Sequence, residues 1–189
     1  MLYKGKDKEL MKILIDADSV PTQIRTIILR AVIKRSLSII FVADRFLKDV
    51  GKAYETDTAH LRKIAKKNGV TDPEEIRSIK SKIQWEIVAT GADSADNRLV
   101  EIAEEGDLAI THDVPLSARL IEKNVIVLDD RGGTYDKNNI AVKLSNRNLM
   151  TELRSYGVQL EKTRGMGEKQ VRLFSQAFVT QLDKLSSQA

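Results

Sequence analysis

Five short apolar runs, spaced along the chain and mostly followed by helical patterns, are the feature that most constrains this fold. The runs are too short to be independent helices, and they contain β-branched and aromatic residues, which favours buried strands. Because helical segments connect them, the order predicts a mostly parallel sheet covered by helices on both faces, a three-layer α/β/α sandwich. The predicted strands are Lys12–Ile15, Leu37–Ala43, Gln84–Ala89, Leu108–Thr111 and Val125–Leu128.

Two segments lie outside this regular alternation. Residues 45–83 show helical spacing and a second helix start, and they predict a helical insertion between strands two and three. Residues 140–186 predict two C-terminal helices. We therefore expect one domain over residues 11–189, preceded by a flexible extension of residues 1–10.

Composition narrows the class of protein. The absence of cysteine excludes disulfides and cysteine-based zinc sites, and it agrees with the cytoplasmic location that we expect. No apolar run approaches the ~18 residues of a membrane helix, so no membrane span is predicted. Residues 45–83 contain 10 Lys and Arg against 6 Asp and Glu, and residues 143–172 contain 7 against 3, which leaves the remainder net acidic. This division favours a metal site that serves a polyanion, the alternative being ordinary solvated helix faces.

Aspartates follow two of the predicted strands and open one predicted helix. Asp16 and Asp18 come after the first strand, and Asp113 comes after the fourth. Asp93 and Asp96 begin the helix between strands three and four. Open parallel sheets bind ligands at the carboxyl ends of their strands. Carboxylates gathered there repel one another unless a cation is present, and hard oxygen ligands favour Mg²⁺ or Mn²⁺.

Each aspartate also has a structural interpretation. Asp18 and Asp113 stand where helix N-caps are expected, and the pair Asp93 and Asp96 imitates a capping box. Only their convergence on one sheet edge favours a shared site, where Asp16 and Asp18 would point the same way in an extended chain. By contrast, Asp107 begins the strand that Asp113 ends, roughly 20 Å away, and is predicted to be structural.

Several blocks of sequence, in order along nearly the whole chain, match the signature of one family. They include Ile13–Pro21 (Ile-Leu-Ile-Asp-Ala-Asp-Ser-Val-Pro), Ala95–Asn97, Gly106–Leu116 and the Arg131-Gly132 pair. In these blocks the chain resembles the YaiI/YqxD family of uncharacterised bacterial proteins. One departure is Ser19-Val20-Pro21, where that family usually carries Ala-Cys-Pro.

The resemblance implies a fold and a site. The family is thought to share the fold of PIN-domain nucleases, which implies a PIN-like sandwich and a Mg²⁺- or Mn²⁺-dependent nuclease. The acidic pocket of such enzymes would correspond to Asp16, Asp96 and Asp113, with Asp18 and Asp93 as adjacent metal ligands. One or two ions held there would activate water and neutralise the charge of a phosphodiester.

Basic residues on both sides of that pocket are candidates for substrate binding. Arg131, on the loop after strand five, is a predicted phosphate contact, and Lys63, Lys66 and Lys67 of the insertion are predicted to hold a nucleic-acid backbone. Single-stranded RNA is the expected substrate through the PIN analogy alone. The oligomeric state is left open.

Two other functions fit the same residues. Asp16-Ala17-Asp18-Ser19-Val20 matches the Asp-x-Asp-x-Thr/Val pattern of haloacid-dehalogenase-like phosphatases, in which Asp16 would be the nucleophile. The later acidic pair of such phosphatases is poorly matched, because a strand separates Asp107 from Asp113. The third alternative is a non-catalytic PIN-like module that binds nucleic acid or a protein.

Overall fold

A computed structural model describes residues 11–91, 93–158 and 165–186. The predicted extension, residues 1–10, lies outside the described residues. The described chain forms six strands and seven helices. The strands are β1 Ile13–Asp16, β2 Ile39–Ala43, β3 Ile83–Ile87, β4 Leu108–Ile110, β5 Ile126–Leu128 and β6 Thr134–Tyr135, and the helices are α1 Thr22–Arg35, α2 Lys48–Lys67, α3 Pro73–Ser78, α4 Ser94–Ile102, α5 Val114–Glu122, α6 Ile140–Ser155 and α7 Glu168–Ser186.

The strands form one sheet in the order β3-β2-β1-β4-β5-β6. The first five are parallel and β6 is antiparallel to β5, so the predicted, mostly parallel sheet is confirmed. Strand β6 was not expected, because two residues carry no periodicity that a sequence could reveal. The order of the strands reverses between β1 and β4, which makes this pair the topological switch point where open α/β sheets bind ligands.

Alternation along β1 assigns the helices to two faces. Ile13 and Ile15 pack in one cluster with α1, α2 and α7, whereas Leu14 packs in a second cluster with α4 and α5. The three-layer α/β/α arrangement is therefore confirmed. Asp16 is two residues beyond Leu14, so the pleat turns its side chain toward α4 and α5.

Helix α2 connects the carboxyl edge of the sheet, where β2 ends, with the amino edge, where β3 begins. Just before β3, the backbone N–H of Ser81 donates to Oγ1 of Thr58 at 3.0 Å. Thr58 therefore lies at the amino edge, and the last turns of α2 extend past the sheet. No helix in the described ranges combines the length and apolar character that a membrane span requires.

Candidate functional site

The carboxyl ends of β1 and β4 meet at Asp16 and Thr111. Asp16 is 5% exposed, and its Oδ2 accepts a hydrogen bond of 2.7 Å from Oγ1 of Thr111. The same Thr111 oxygen accepts a hydrogen bond of 2.9 Å from the backbone N–H of Asp113. One threonine thus joins the two strand ends and sets the orientation of the Asp16 carboxylate.

A buried arginine holds the turn that follows β1. Nη1 of Arg25 donates to the carbonyl oxygens of Ala17 and Val20 at 3.3 and 2.8 Å. Nε of Arg25 donates to Oδ2 of Asp49 in α2 at 2.9 Å. These bonds connect the turn beside Asp16 to two helices, so the turn is fixed by side-chain contacts as well as by its own backbone.

Four carboxylates come within electrostatic reach of one another at this edge. Burial, together with the negative charges of Asp16, Asp113 and Asp93, raises the pKa of Asp96 from 3.8 to about 6, while Arg119 acts in the opposite direction. Asp96 lies in the first turn of α4, which faces β1. At Asp96 the effect of each of these negative charges is larger than that of Arg119.

The structure separates the capping interpretations. Asp113 does cap α5, because its Oδ1 accepts a bond of 2.7 Å from the backbone N–H of Leu116. Asp93 precedes α4 in a left-handed conformation, with φ of 59°, and its side chain makes no capping bond. Asp18 is no cap either, since the residue that precedes α1 is Pro21. Helix capping thus accounts for Asp113 alone among the three.

Asp18 and Asp16 take different partners. Oδ2 of Asp18 accepts the backbone N–H of Asp44 at 3.1 Å, and its Oδ1 pairs with Arg45 at 2.8 Å. These partners follow β2, whereas Asp16 contacts Thr111 after β4. The expected common direction of the two aspartates does not hold, because β1 ends at Asp16 and the chain turns immediately.

A group that the sequence analysis missed lies beside this pocket. Nδ1 of His112 is 3.1 Å from Oδ1 of Asp129 and 2.9 Å from Oδ1 of Asp130. Ligand atoms of the three residues all lie within 4.8 Å of one another, a grouping that Asp16, Asp96 and Asp113 do not reach. The signal was available, because the two aspartates directly follow β5 and thus obey the same strand-end rule.

Electrostatics within this group follow from its contacts. Hydrogen bonds to Asp129 and Asp130 raise the pKa of His112 to about 10, against the effect of burial. Burial acts to raise the pKa of Asp129, but the hydrogen bonds that it accepts outweigh that effect and lower the pKa to about 2. Burial raises the pKa of Asp130. One imidazolium thus bonds to both carboxylates of this loop.

The loop after β5 is held in place on the opposite side. Oδ2 of Asp129 accepts a bond of 3.3 Å from the hydroxyl of Tyr135, and its Oδ1 accepts the backbone N–H of Arg131 at 3.2 Å. Gly132 has φ of +88°, and a Cβ there would approach backbone atoms of Leu173 in α7 to 2.7 Å. Only glycine fits this contact, which seats the loop against α7.

The predicted substrate contacts are distributed over two regions. Arg131 is half-buried on the loop between β5 and β6, at the carboxyl edge. Lys63, Lys66 and Lys67 are exposed in the last turns of α2, roughly 25 Å along the helix from its start. These three lysines lie beyond Thr58 at the amino edge, so the fold does not bring them to the acidic pocket.

An open, mostly parallel sheet with aspartates collected at its switch point defines an α/β protein with an acidic carboxyl edge. A sequence model of the uncharacterised YaiI/YqxD family matches residues 62–185. The chain is 37% identical to the UPF0178 protein DP1304 of Desulfotalea psychrophila over 79% of this chain and 82% of that protein. It is 35% identical to a UPF0178 protein of Myxococcus xanthus over 93% of this chain and 96% of that one. The chain belongs to the YaiI/YqxD family.

Proposed function

We propose that this protein is a Mg²⁺- or Mn²⁺-dependent nuclease that acts on single-stranded nucleic acid. The observation that carries the proposal is the convergence of Asp16, Asp93, Asp96 and Asp113 at the switch point of the sheet. The raised pKa of Asp96 supports it, because after burial its causes are the negative charges of Asp16, Asp113 and Asp93, whose repulsion a divalent cation would relieve. The preference for RNA rests on the analogy with PIN-domain nucleases.

The donor atoms at this edge fit such an ion. All four side chains offer carboxylate oxygens, which Mg²⁺ and Mn²⁺ prefer. The oxygens of Asp16, Asp96 and Asp113 are too widely spread for all three to crowd around one point. Mg²⁺ tolerates such a spread, because it commonly keeps several waters and uses only one or two carboxylates directly.

His112, Asp129 and Asp130 provide a second set of donors next to the first. Their N–O separations of 2.9 and 3.1 Å are hydrogen bonds of a protonated imidazole, so His112 would have to give up its proton before the three side chains could bind one divalent ion. Because His112 lies between Thr111 and Asp113 in the chain, both sets share one loop. A bound ion would supply an activated water and neutralise phosphoryl charge. Thr111 and Arg25 would keep the pocket and its loop in position.

The phosphatase alternative fits the contacts less well. It requires a later acidic pair near Asp16, yet both oxygens of Asp107 accept backbone N–H groups at the far edge of the sheet. Asp18, which would be the acid or base, is paired with Arg45. A non-catalytic binding module is the other alternative, and the experiment below distinguishes all three.

The test is cleavage of a labelled single-stranded oligonucleotide by purified protein in Mn²⁺, with EDTA as the metal-free control. Asp113→Asn should reduce cleavage by about 100-fold or more, because it removes a negatively charged ligand of the divalent ion that neutralises the phosphoryl group. Asparagine also caps helices well, so α5 should be preserved. Asp107→Asn makes the same change at the opposite edge and should retain cleavage once its folded fraction is matched.

Three outcomes would contradict the nuclease proposal. Undiminished cleavage by Asp113→Asn would point to a contaminant or another site. Turnover of p-nitrophenyl phosphate with an aspartyl-phosphate at Asp16 would establish the phosphatase. Binding of the oligonucleotide without cleavage in Mn²⁺ or Mg²⁺ would establish the binding module.

A further inference from the structure

An exposed aromatic ring lies close to the acidic pocket. Phe46 follows β2 at the carboxyl edge and is 52% exposed. Its neighbour in the chain, Arg45, pairs with Asp18 and Asp44 at 2.8 and 2.9 Å. The ring is therefore continuous with the edge that carries the aspartates, although it touches none of them in the contacts described above.

The Phe46 ring is held in place despite its exposure. Its centroid lies 5.9 Å from that of Trp85 in an edge-on arrangement, and Trp85 in turn packs edge-on against Tyr54 at 5.4 Å. A Cβ on Gly51 would lie only 2.5 Å from Cζ of Phe46, so the ring rests directly on the backbone of α2. A side chain that is ordered in advance loses little conformational entropy when it binds a ligand.

Basic residues lie next to Phe46 in the chain and in the first turns of α2. The side chain of Arg45 is 59% exposed, and Lys48 and Lys52 are exposed in the first turns of α2. Ile87, which follows Trp85 on the same face of β3, adds one exposed apolar side chain. A flat ring with positive charges beside it matches single-stranded nucleic acid, which offers a base to stack and a phosphate at every nucleotide.

We propose that Phe46 stacks against one base of a single strand whose backbone continues into the pocket around Asp16. The inference rests on the proposed function and adds to it the place where the strand is held. Lys48 and Lys52, together with Arg45, are then the cations expected to contact the bound backbone, rather than the distant lysines at the end of α2. Stacking is insensitive to sequence, because every base has an aromatic face.

The test measures binding of a fluorescein-labelled uridine oligonucleotide by anisotropy, in EDTA so that the chain is not cleaved. The same backbone carrying abasic residues is the matched ligand. Wild-type protein should bind the abasic strand about tenfold more weakly than the uridine strand. Phe46→Leu should lose that difference and bind both strands alike, whereas Phe46→Tyr should keep it, because tyrosine retains the ring.

The comparison remains informative if Phe46→Leu folds poorly, because wild-type protein alone already reports the base dependence. Equal affinity of the wild-type protein for both strands would overturn the proposal that Phe46 stacks on a base. The nuclease proposal would still be decided by its cleavage test. Failure of wild type to bind either strand, together with absence of cleavage in Mn²⁺, would overturn both. Unchanged uridine binding by Phe46→Leu, with loss of self-association measured by sedimentation, would assign the ring to a protein interface instead.

Discussion

Two edges of one sheet each bury an aspartate, and the surroundings of the two carboxylates differ. At the amino edge, Asp107 is 3% exposed and accepts the backbone N–H groups of Lys12 and Glu104 at 2.8 and 3.0 Å. At the carboxyl edge, Asp16 is 5% exposed and accepts one short bond from Thr111 and a longer one, 3.4 Å, from the N–H of Ser19. The two carboxylates are buried to a similar extent, but the hydrogen bonds that they accept differ.

The difference separates a structural carboxylate from a candidate ligand. Asp107 has both oxygens occupied by backbone donors, and its contacts account for its presence without any further partner. Asp16 instead shares its edge with Asp93, Asp96 and Asp113, and the pKa of Asp96 is raised by burial and by the charges of the other three. Burial alone therefore does not distinguish a candidate ligand from a structural carboxylate. The hydrogen-bond donors and the charges around the carboxylate distinguish them.

The largest expected effect on folding is at the amino edge. Asp107→Asn should lower the free energy of unfolding by about 3 kcal/mol, because the amide can accept at only one of the two positions and turns a donor toward a buried N–H. Asp16→Asn should leave the free energy of unfolding nearly unchanged, since it removes repulsion and keeps an acceptor for Thr111, and the bond that it loses, from Ser19, is a long one of 3.4 Å. Urea unfolding of the metal-free proteins measures both, and a larger loss in Asp16→Asn would invert the comparison.

The second effect is stabilisation by metal. Mn²⁺ at 100 times its dissociation constant should stabilise the wild-type protein by about 2.7 kcal/mol, by mass action on the folded state. Asp107→Asn should gain as much from Mn²⁺ as wild type, whereas Asp16→Asn should gain little. Thermal unfolding with and without Mn²⁺ reports these gains. If Asp16→Asn gained as much as wild type, the ion would have to bind elsewhere, and His112→Ala would then be the next variant to compare.

The smallest effect is on the pH dependence of stability. Because the pKa of Asp96 is raised from 3.8 to about 6, its contribution to stability is fully present below pH 4 and is lost as the pH rises through 6. Asp96 is only half-buried and solvent screens its repulsion, so we expect a loss of about 1 kcal/mol in metal-free protein. Asp96→Asn should lack this component, which the difference between the two unfolding curves at pH 4 and pH 7 isolates. Parallel curves would mean that neither burial nor the neighbouring carboxylates raise the pKa of Asp96.

Much of this architecture was predictable, because it depends on local patterns. Short apolar runs such as that before Asp16 become strands wherever helices can cover them, and parallel strands joined by helices place their carboxyl ends at one edge. The separation of Asp107 from Asp113 followed from the length of β4 alone. The aspartates after β5 obey the same rule and could have been included in the predicted site.

Other features depended on contacts that no local pattern contains. The chain leaves the extended conformation after Asp16, so the regular alternation that would align Asp18 with it is lost, and Asp18 pairs with Arg45 instead. His112 meets Asp129 and Asp130 only because β4 and β5 are neighbours in the sheet.

The net charge along the sequence predicted that residues 45–83 form a basic region beside the acidic pocket. Only the tertiary structure shows which cations of this region lie near the pocket. Helix α2 is longer than the sheet is deep, so Lys63, Lys66 and Lys67 extend past the amino edge while Lys48 stays near the pocket. The sequence by itself determined the elements, their order and the edge at which the aspartates gather, because periodicity and strand ends are local properties. Only the tertiary structure decided which side chains face one another. Those contacts depend on the order of the strands, on the residue at which each strand ends and on how far a helix extends past the sheet.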